Sequence, residues 1–306
     1  MRSVLRRGWL RRDGLQTTQT VMMWWLKKVC MDLSVIIVTH NHAEFLPACL
    51  QSLTPAMRSL RMEVLVIDNC STDGSADLVG RHLPAARLTV NRKRHGFATN
   101  ANTGVRLAQG DFILLLNPDT EALPGALEAL VDFMRAHPDV GLCGAQLRFP
   151  DGSIQPSCRR FPTVRSVVAR RTFLRRYLKD STMNRRHLML EVDHTHPQAV
   201  DWMLGACLMT QRDALRDVGM MDEGYYLYVE DIDWAYRMHQ RGWKVMYVPQ
   251  AQVIHHHQAV TDHRWLTWRT WVHYRSMARF IRKRYLWPRE RVTTHQSALR
   301  ARAVVK

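Results

Sequence analysis

Four short aliphatic runs, each breaking off into a polar loop, constrain the fold of this chain more than any other feature. They are SVIIVT (34–39), MEVLVID (62–68), ARLTV (86–90) and DFILLLN (111–117). Continuous β-branched and aliphatic runs of this length read as strands, those with no polar alternation as strands buried on both faces. Between them, apolar residues recur at helical spacing over 43–53, 75–82 and 99–109, where Gly110 ends the pattern; Pro124 opens a further helix through Ala136. Strands alternating with helices predict a doubly wound, largely parallel α/β sheet, Rossmann-like in this half. Such sheets bind ligands at the carboxyl ends of their strands, here occupied by THN, DNCSTDGS and NPD.

The second half is less regular. VGLCGAQLRF, residues 200–210 and residues 243–249 read as strands, and residues 234–240 as a helix. From 264 to 285 tryptophans and arginines interleave with helical spacing; an amphipathic helix on a membrane interface and a helix docked on the domain both fit. Charge is distributed unevenly. Of a net +17, residues 1–30 carry seven Lys/Arg against one acid and residues 258–306 twelve against two. Residues 159–186 add ten basic side chains against Asp180, and this arginine-rich section reads as a surface helix or mobile loop. The remaining body is acidic, with twenty-three Asp/Glu against fifteen Lys/Arg. Basic margins around an acidic body favour anionic lipid surfaces, phosphate-bearing substrates or nucleic acid.

No run of about eighteen apolar residues offers a spanning helix. Six cysteines without a CxxC pair fit a reduced, cytoplasmic protein better than a disulfide framework. VMMWWL is short for a secretory signal and lacks a cleavage site. Met31, just before DLSVIIVTHN, is the expected start of the native chain, with a basic membrane-touching arm as the competing account of residues 1–30. The expected organisation is therefore an extension over 1–30, a domain over 31–257 and a basic helical tail over 258–306. No GxGxxG or P-loop motif is present.

Candidate chemistry sits in four places. Asp68 and Asp73 flank a turn that Gly74 permits, and would suit either ribose and base hydrogen bonds or an Asx-turn. Asp119 ends a hydrophobic strand beside Asn117, where a carboxylate can bind a hard cation or simply start a turn. Of His255, His256 and His257, only alternate side chains share a face, and His255 continues the apolar run. Glu230, Asp231 and Asp233 crowd together among tyrosines and tryptophan, at a helix start that itself favours carboxylates.

Taken in order, SVIIVTHN, VLVIDNCSTDGS, NRKRHGFATNANTG, ILLLNPDT, WMLGACLMTQRDALRDVGMMDEGYYLYVEDIDWAYRMHQRGW and VIHH resemble the inverting family 2 glycosyltransferases of GT-A fold. The likeness spans about residues 32–257 and is greatest to the bacterial rhamnosyl- and galactofuranosyltransferase branch. It implies a sugar donor carried on a nucleoside diphosphate (dTDP-rhamnose or UDP-hexose type), a divalent Mn2+ or Mg2+, and a cell-surface glycan or lipid-linked acceptor. The expected setting is cytoplasmic; the basic, aromatic tail adds an expected peripheral contact with an anionic membrane, and no nucleic-acid partner is expected.

Position by position, the resemblance puts Thr39, Asn41, Asp68 and Asp73 around the nucleoside. It puts Arg94, Gly96, Asn100 and Asn102 near the diphosphate and sugar, and Trp202 and Gly205 between sugar and acceptor. Asn117 and Asp119 occupy the metal motif with its first acid replaced, and His255 completes the metal shell. Asp231 is the implied general base, with Glu230 and Asp233 tuning it or positioning the acceptor. Two other readings compete: a catalytically inactive carbohydrate-binding relative, and a basic nucleic-acid-binding protein, for which no zinc-finger or RNP signature is present.

Overall fold

The computed structural model describes residues 31–163, 185, 187–191, 193–256 and 267–286. The expectations for residues 1–30, for most of the arginine-rich section and for the chain after Leu286 lie outside the described residues.

The first half alternates as its pattern predicts. Strand β1 (Leu33–Thr39) leads through α1 (Leu46–Ser52) and the short α2 (Ala56–Ser59) to β2 (Met62–Asp68); α3 (Ser75–His82), β3 (Arg87–Val90), α4 (Phe97–Leu107) and β4 (Phe112–Leu116) follow. These four strands pair in parallel in the order β3-β2-β1-β4. The order reverses between β1 and β4, opening a crevice at their carboxyl ends. Side chains alternate across the sheet. Leu33, Val35, Ile37, Val64 and Val66 enter one core with α1, α3 and α5 (Ala126–Ala136), while Ile36, Leu65, Ile113 and Leu115 enter the other with α4. Burial on both faces explains the lack of polar alternation in these runs.

The second half adds β5 (Thr120–Ala122), β6 (Val140–Arg148), β7 (Cys158–Arg159), β8 (Gln198–Ala199), β9 (Trp202–Met203), β10 (Cys207–Gln211), α6 (Arg212–Val218), α7 (Glu230–Gln240), β11 (Lys244–His255) and α8 (Trp268–Leu286). The sheet continues β4-β10-β6-β11-β5, with β10 antiparallel to both neighbours and β6 parallel to β11.

Three expectations change here. The apolar segment 200–210 is two strands rather than one, broken by a turn at Leu204, Gly205 and Ala206, because β9 leaves the main sheet to pair with β7. Conversely, β11 does not stop at Pro249: it runs on to His255, with its register to β6 shifting between Val248 and Gln252. A bulge accommodates a proline that has no N–H to give the ladder. Helix α5 likewise starts after Gly125, whose φ of +83° suits only glycine well, and not at Pro124. The terminal helix α8 is docked: Met277 and Phe280 belong to the core it shares with α6 and α7. Among the described residues no helix is long and apolar enough to cross a membrane, and the five described cysteines are unpaired.

Candidate active site

The loops after β1 and β2 are stitched together. Asn41, at φ +57°, donates its N–H to Ser71 Oγ (3.0 Å) and accepts from Thr72 N–H (2.8 Å). Asp73 accepts from Ala43 N–H (2.9 Å) and from Ser75 N–H and Oγ. Both residues therefore hold the shape of the pocket rim, which is the Asx-turn reading of Asp73 realised between two loops. Deeper, Asp68 accepts from Ser71 N–H through Oδ2, while its Oδ1 and Thr39 Oγ1 are buried without a hydrogen-bond partner. Orphaned polar atoms at adjacent strand ends are costly unless a ligand satisfies them. These two fit a nucleoside.

The residues expected near the diphosphate divide. Arg94 stands exposed between β3 and α4. Asn100 is buried, donating to Gly96 O (2.9 Å) and accepting from Asn91. Asn102 donates to Met221 O (2.8 Å) and to Glu223, tying α4 to the second half. Gly96 matters for space: a Cβ there would lie 2.7 Å from Tyr226 O, whose carbonyl accepts from Phe97 N–H.

Asp119 and His255 come together across the β4–β5 turn and the end of β11. His255 Nε2 lies 3.6 Å from Asp119 Oδ2, and Asp119 O accepts from His256 N–H. The buried His255 Nδ1 sits 2.8 Å from Gln155 Oε1, an amide oxygen that can only accept. An Nδ1–H donated there turns Nε2 toward Asp119, where it can donate to the carboxylate or, once deprotonated, ligate a cation held between the two. Among the described residues no three His, Cys, Asp or Glu side chains converge on a metal site. A carboxylate and an imidazole still fit a divalent cation whose remaining positions fall to diphosphate and water. Burial works against the Asp119 charge, but His255, then His42, hold its pKa below the ordinary value. His42, absent from the expected set, is half-buried; its Nδ1 accepts from His40 N–H (3.1 Å) and its pKa is lowered by burial despite Asp119. Neither His42 nor Gln155 belongs to a motif of distinctive spacing. His256 pairs with Glu121 (2.5 Å).

The three acids of α7 face three ways. Asp231 Oδ2 accepts from Gly205 N–H (3.2 Å) in the turn before β10, and Oδ1 from Ile232 N–H. Burial raises its pKa against these two donors and Arg159. Glu230 is buried with Oε2 unpartnered; burial and then the Asp231 charge raise its pKa further. Asp233 departs from the expectation. It is fully buried and held by Arg237 (2.8 Å), Tyr225 OH (3.1 Å) and Lys283 (2.5 Å), facing α8 and away from Gly205. A turn links the base candidate to the metal candidate: Gly205 contacts Asp231, and the next carbonyl, Ala206 O, accepts from Asn117 N–H (2.9 Å), two residues before Asp119. Trp202 packs below, donating to Arg160 O (3.0 Å).

Tyr228 and Val229, immediately before these acids, have φ of +66° and +73°. Such strain in non-glycine residues survives only where surroundings enforce it. Here α8 does so: Trp268 meets Tyr226 edge-on, Ser276 donates to Leu227 O (3.0 Å), and the His273 ring lies tilted against Tyr228. Arg279 and Lys283 lie over the Tyr225 ring and bind Asp222.

A sheet of this order, with its polar loops gathered at the carboxyl ends of the strands, is the frame of a glycosyltransferase of GT-A fold. Residues 34–197 match the model of Glycosyl transferase family 2, and the chain belongs to that family. It is 31% identical over 236 residues, 73% of this chain and 76% of the relative, to N-acetylglucosaminyl-diphospho-decaprenol L-rhamnosyltransferase of Mycobacterium tuberculosis. Rhamnosyltransferase WbbL of Escherichia coli K12 is 25% identical across 72% of this chain and 82% of its own length. Among solved structures, GalNAc-T7 with UDP, GalNAc and Mn2+ superposes with a TM-score of 0.55 at 17% identity, covering 74% of this chain and 44% of that one. The S. aureus TarS 1–349 structure gives 0.50 at 16% identity, covering 74% of this chain. The chain spans 44% and 60% of those two structures, which support the fold alone.

Proposed function

We propose that this enzyme is an inverting, cation-assisted transferase that moves a rhamnose-type sugar from a nucleoside diphosphate to a hydroxyl of a lipid-linked or cell-surface glycan. The names of the two rhamnosyltransferase relatives support the donor, and the diphospho-decaprenol in one of them supports a lipid-linked acceptor. Thr39 and Asp68 hold the nucleoside; Asn41 and Asp73 keep its rim in place. Asp119 and His255 would hold Mn2+ or Mg2+, with Asn117 beside them. A cation there supplies Lewis acidity that offsets charge on the departing diphosphate.

Asp231 takes the proton of the acceptor hydroxyl as that oxygen bonds to the anomeric carbon. The bond to the diphosphate breaks on the opposite side, so the centre inverts and the nucleoside diphosphate leaves. A half-buried carboxylate of raised basicity suits the task near neutral pH. Gly205 N–H orients that carboxylate, and Trp202 supports the turn. Arg94 and the Gly96, Asn100 and Asn102 network shape the side nearest the sugar.

One observation carries the reading: the turn that binds Asp231 also binds the residue leading into Asp119. The test is Asp231→Asn, with nucleotide-sugar binding measured by calorimetry and transfer by product formation. Donor affinity should hold within about twofold while turnover falls by roughly 10²–10⁴, the usual worth of a positioned base. Turnover within tenfold of wild type would remove Asp231 from the role. A donor panel with and without EDTA identifies the sugar and tests the cation.

A further inference from the structure

Helix α8 spends one face on the domain and leaves a second, chemically distinct face outward. The inward face comprises Met277, Phe280, Ser276 and the Asp222- and Asp233-binding Arg279 and Lys283. Outward, Trp268, Trp271, Arg275, Arg282 and Tyr285 are all exposed, at separations of three, four, seven and three residues, so they form one stripe along 19 residues of helix. Trp271 is 70% exposed, Trp268 51% and Tyr285 49%. Tyr226, 41% exposed and edge-on to Trp268, extends the stripe to the loop that carries the base. These four supply half of the large hydrophobic side chains exposed among the described residues. The helix holds six Arg and Lys and no Asp or Glu.

We propose that this stripe docks on an anionic phospholipid surface. Tryptophan and tyrosine settle at the level of headgroups, where an amphipathic ring is apolar on one side and wet on the other. Cationic side chains between them are drawn to an anionic leaflet, and the absence of any carboxylate on the helix removes the opposing repulsion. A protein partner has no such need for a helix free of acids. Because Tyr226 precedes Asp231 by five residues, docking brings the base-bearing loop to the membrane plane. This deepens the lipid-linked-acceptor reading and rests on it only for why the site should face the bilayer; the binding is tested without any transfer.

The full chain is sedimented with extruded vesicles of phosphatidylcholine, alone or with one-third phosphatidylglycerol. Wild type should partition onto the anionic vesicles at least tenfold more strongly. Trp271→Ser and the pair Arg275→Glu/Arg282→Glu should each cut that partition about tenfold, with donor-nucleotide affinity and thermal midpoint unchanged. If the serine variant unfolds, the charge-reversal pair decides. The proposal falls if wild type stays in the supernatant or binds both vesicle types equally. It falls if both variants sediment like wild type, which would assign binding to the basic ends. A lipid-free dimer on gel filtration that Trp271→Ser dissolves, or RNA retention lost by the stripe variants while vesicle binding persists, overturns it too. Vesicle binding that survives failure of the lipid-linked acceptor in transfer assays leaves the docking intact and sinks only the acceptor.

Discussion

The two halves of this enzyme build their candidate sites by different physics. Around β1, β2 and β4 the backbone does most of the work: parallel strands deliver Thr39, Asp68 and the Asn117–Asp119 turn to one edge, and short loop-to-loop bonds lock them. Around α7 the backbone is strained at Tyr228 and Val229, and its position depends on side chains of α8 some forty to fifty residues further along. A site made by topology tolerates loss of distant contacts. A site held by remote side chains does not, and each half can be challenged on that difference.

The largest effect is expected in the first half, at Asp119 in the β4–β5 turn, the carboxylate proposed to bind a cation. Asp119→Asn should abolish the divalent-dependent part of donor-nucleotide affinity and lower turnover at least a hundredfold, while leaving metal-free nucleotide binding nearly intact. Titration calorimetry with and without Mn2+ separates the two. Equal affinities for wild type and variant in the presence of Mn2+ would show that Asp119 holds no cation. Thermal stability near neutral pH should fall slightly, because a carboxylate whose pKa is held below the ordinary value stabilises the fold while charged, and the amide keeps only its shape.

The next effect lies in the second half. Lys283→Met leaves the buried Asp233 with Arg237 and Tyr225 as partners and takes one grip from Asp222. Lys283 is itself partly exposed, so solvent screens much of the pair, and the stability cost should be about 1 kcal/mol. The revealing measurement is kinetic: kcat down about tenfold with donor affinity unchanged, and recovery in Lys283→Arg. A variant that loses stability but keeps its kcat at low temperature would show that α8 braces the fold without positioning Asp231.

The same contrast governs what could be read from the chain. Strand-end loops repeat a local pattern, so the parallel half, Asp68 and Asp119 were legible, and helix 75–82 agrees with its pattern to the residue. Asp231 and His255 were legible as members of an ordered set of motifs. Their supports were not. Gln155 lies 100 residues from the imidazole it orients, and Lys283 fifty from Asp233. Contacts of that separation leave no period in the sequence. The break of segment 200–210 was hidden for a related reason: β9 remains apolar because it packs in the core even though it leaves the main sheet. Asp233 looked like part of the acid cluster because adjacency in sequence does not reveal that successive helix positions point apart.

A smaller effect tests the coupled acids. Burial and the Asp231 charge raise the Glu230 pKa, so folding favours its protonated form. A carboxyl with a raised folded pKa stabilises the protein while protonated and loses that contribution as pH climbs through the folded value. Glu230→Gln, a permanent neutral mimic, should therefore raise the thermal midpoint in mildly alkaline buffer and match wild type in acid. The Asp231 pKa is also raised by burial, so transfer should fail on acidification well above the ordinary carboxylate value of about 3.9. The acid limb of kcat/KM should keep its place in Glu230→Gln. A limb displaced by a full pH unit would make Glu230, and not Asp231, the group whose ionisation the reaction needs.

The smallest effect concerns the turn that joins the halves. A Cβ at residue 205 would meet Asp231 Oδ2 at 3.5 Å, an ordinary contact, and Gly205 does not occupy a left-handed conformation. Gly205→Ala should fold normally, keep the N–H bond to Asp231 and reduce turnover by no more than about threefold. At Gly96 the same methyl would lie 2.7 Å from a backbone oxygen of the base loop, which cannot move aside as a side-chain tip can. Gly96→Ala should therefore cost about 1–3 kcal/mol and slow transfer more than Gly205→Ala does. Measured together, the pair asks whether the base is sensitive to the groups that touch it or to the loop that carries it. If Gly205→Ala proves the more damaging in turnover, direct crowding of the carboxylate outweighs loop placement, and the dependence on α8 argued from Lys283 loses its basis.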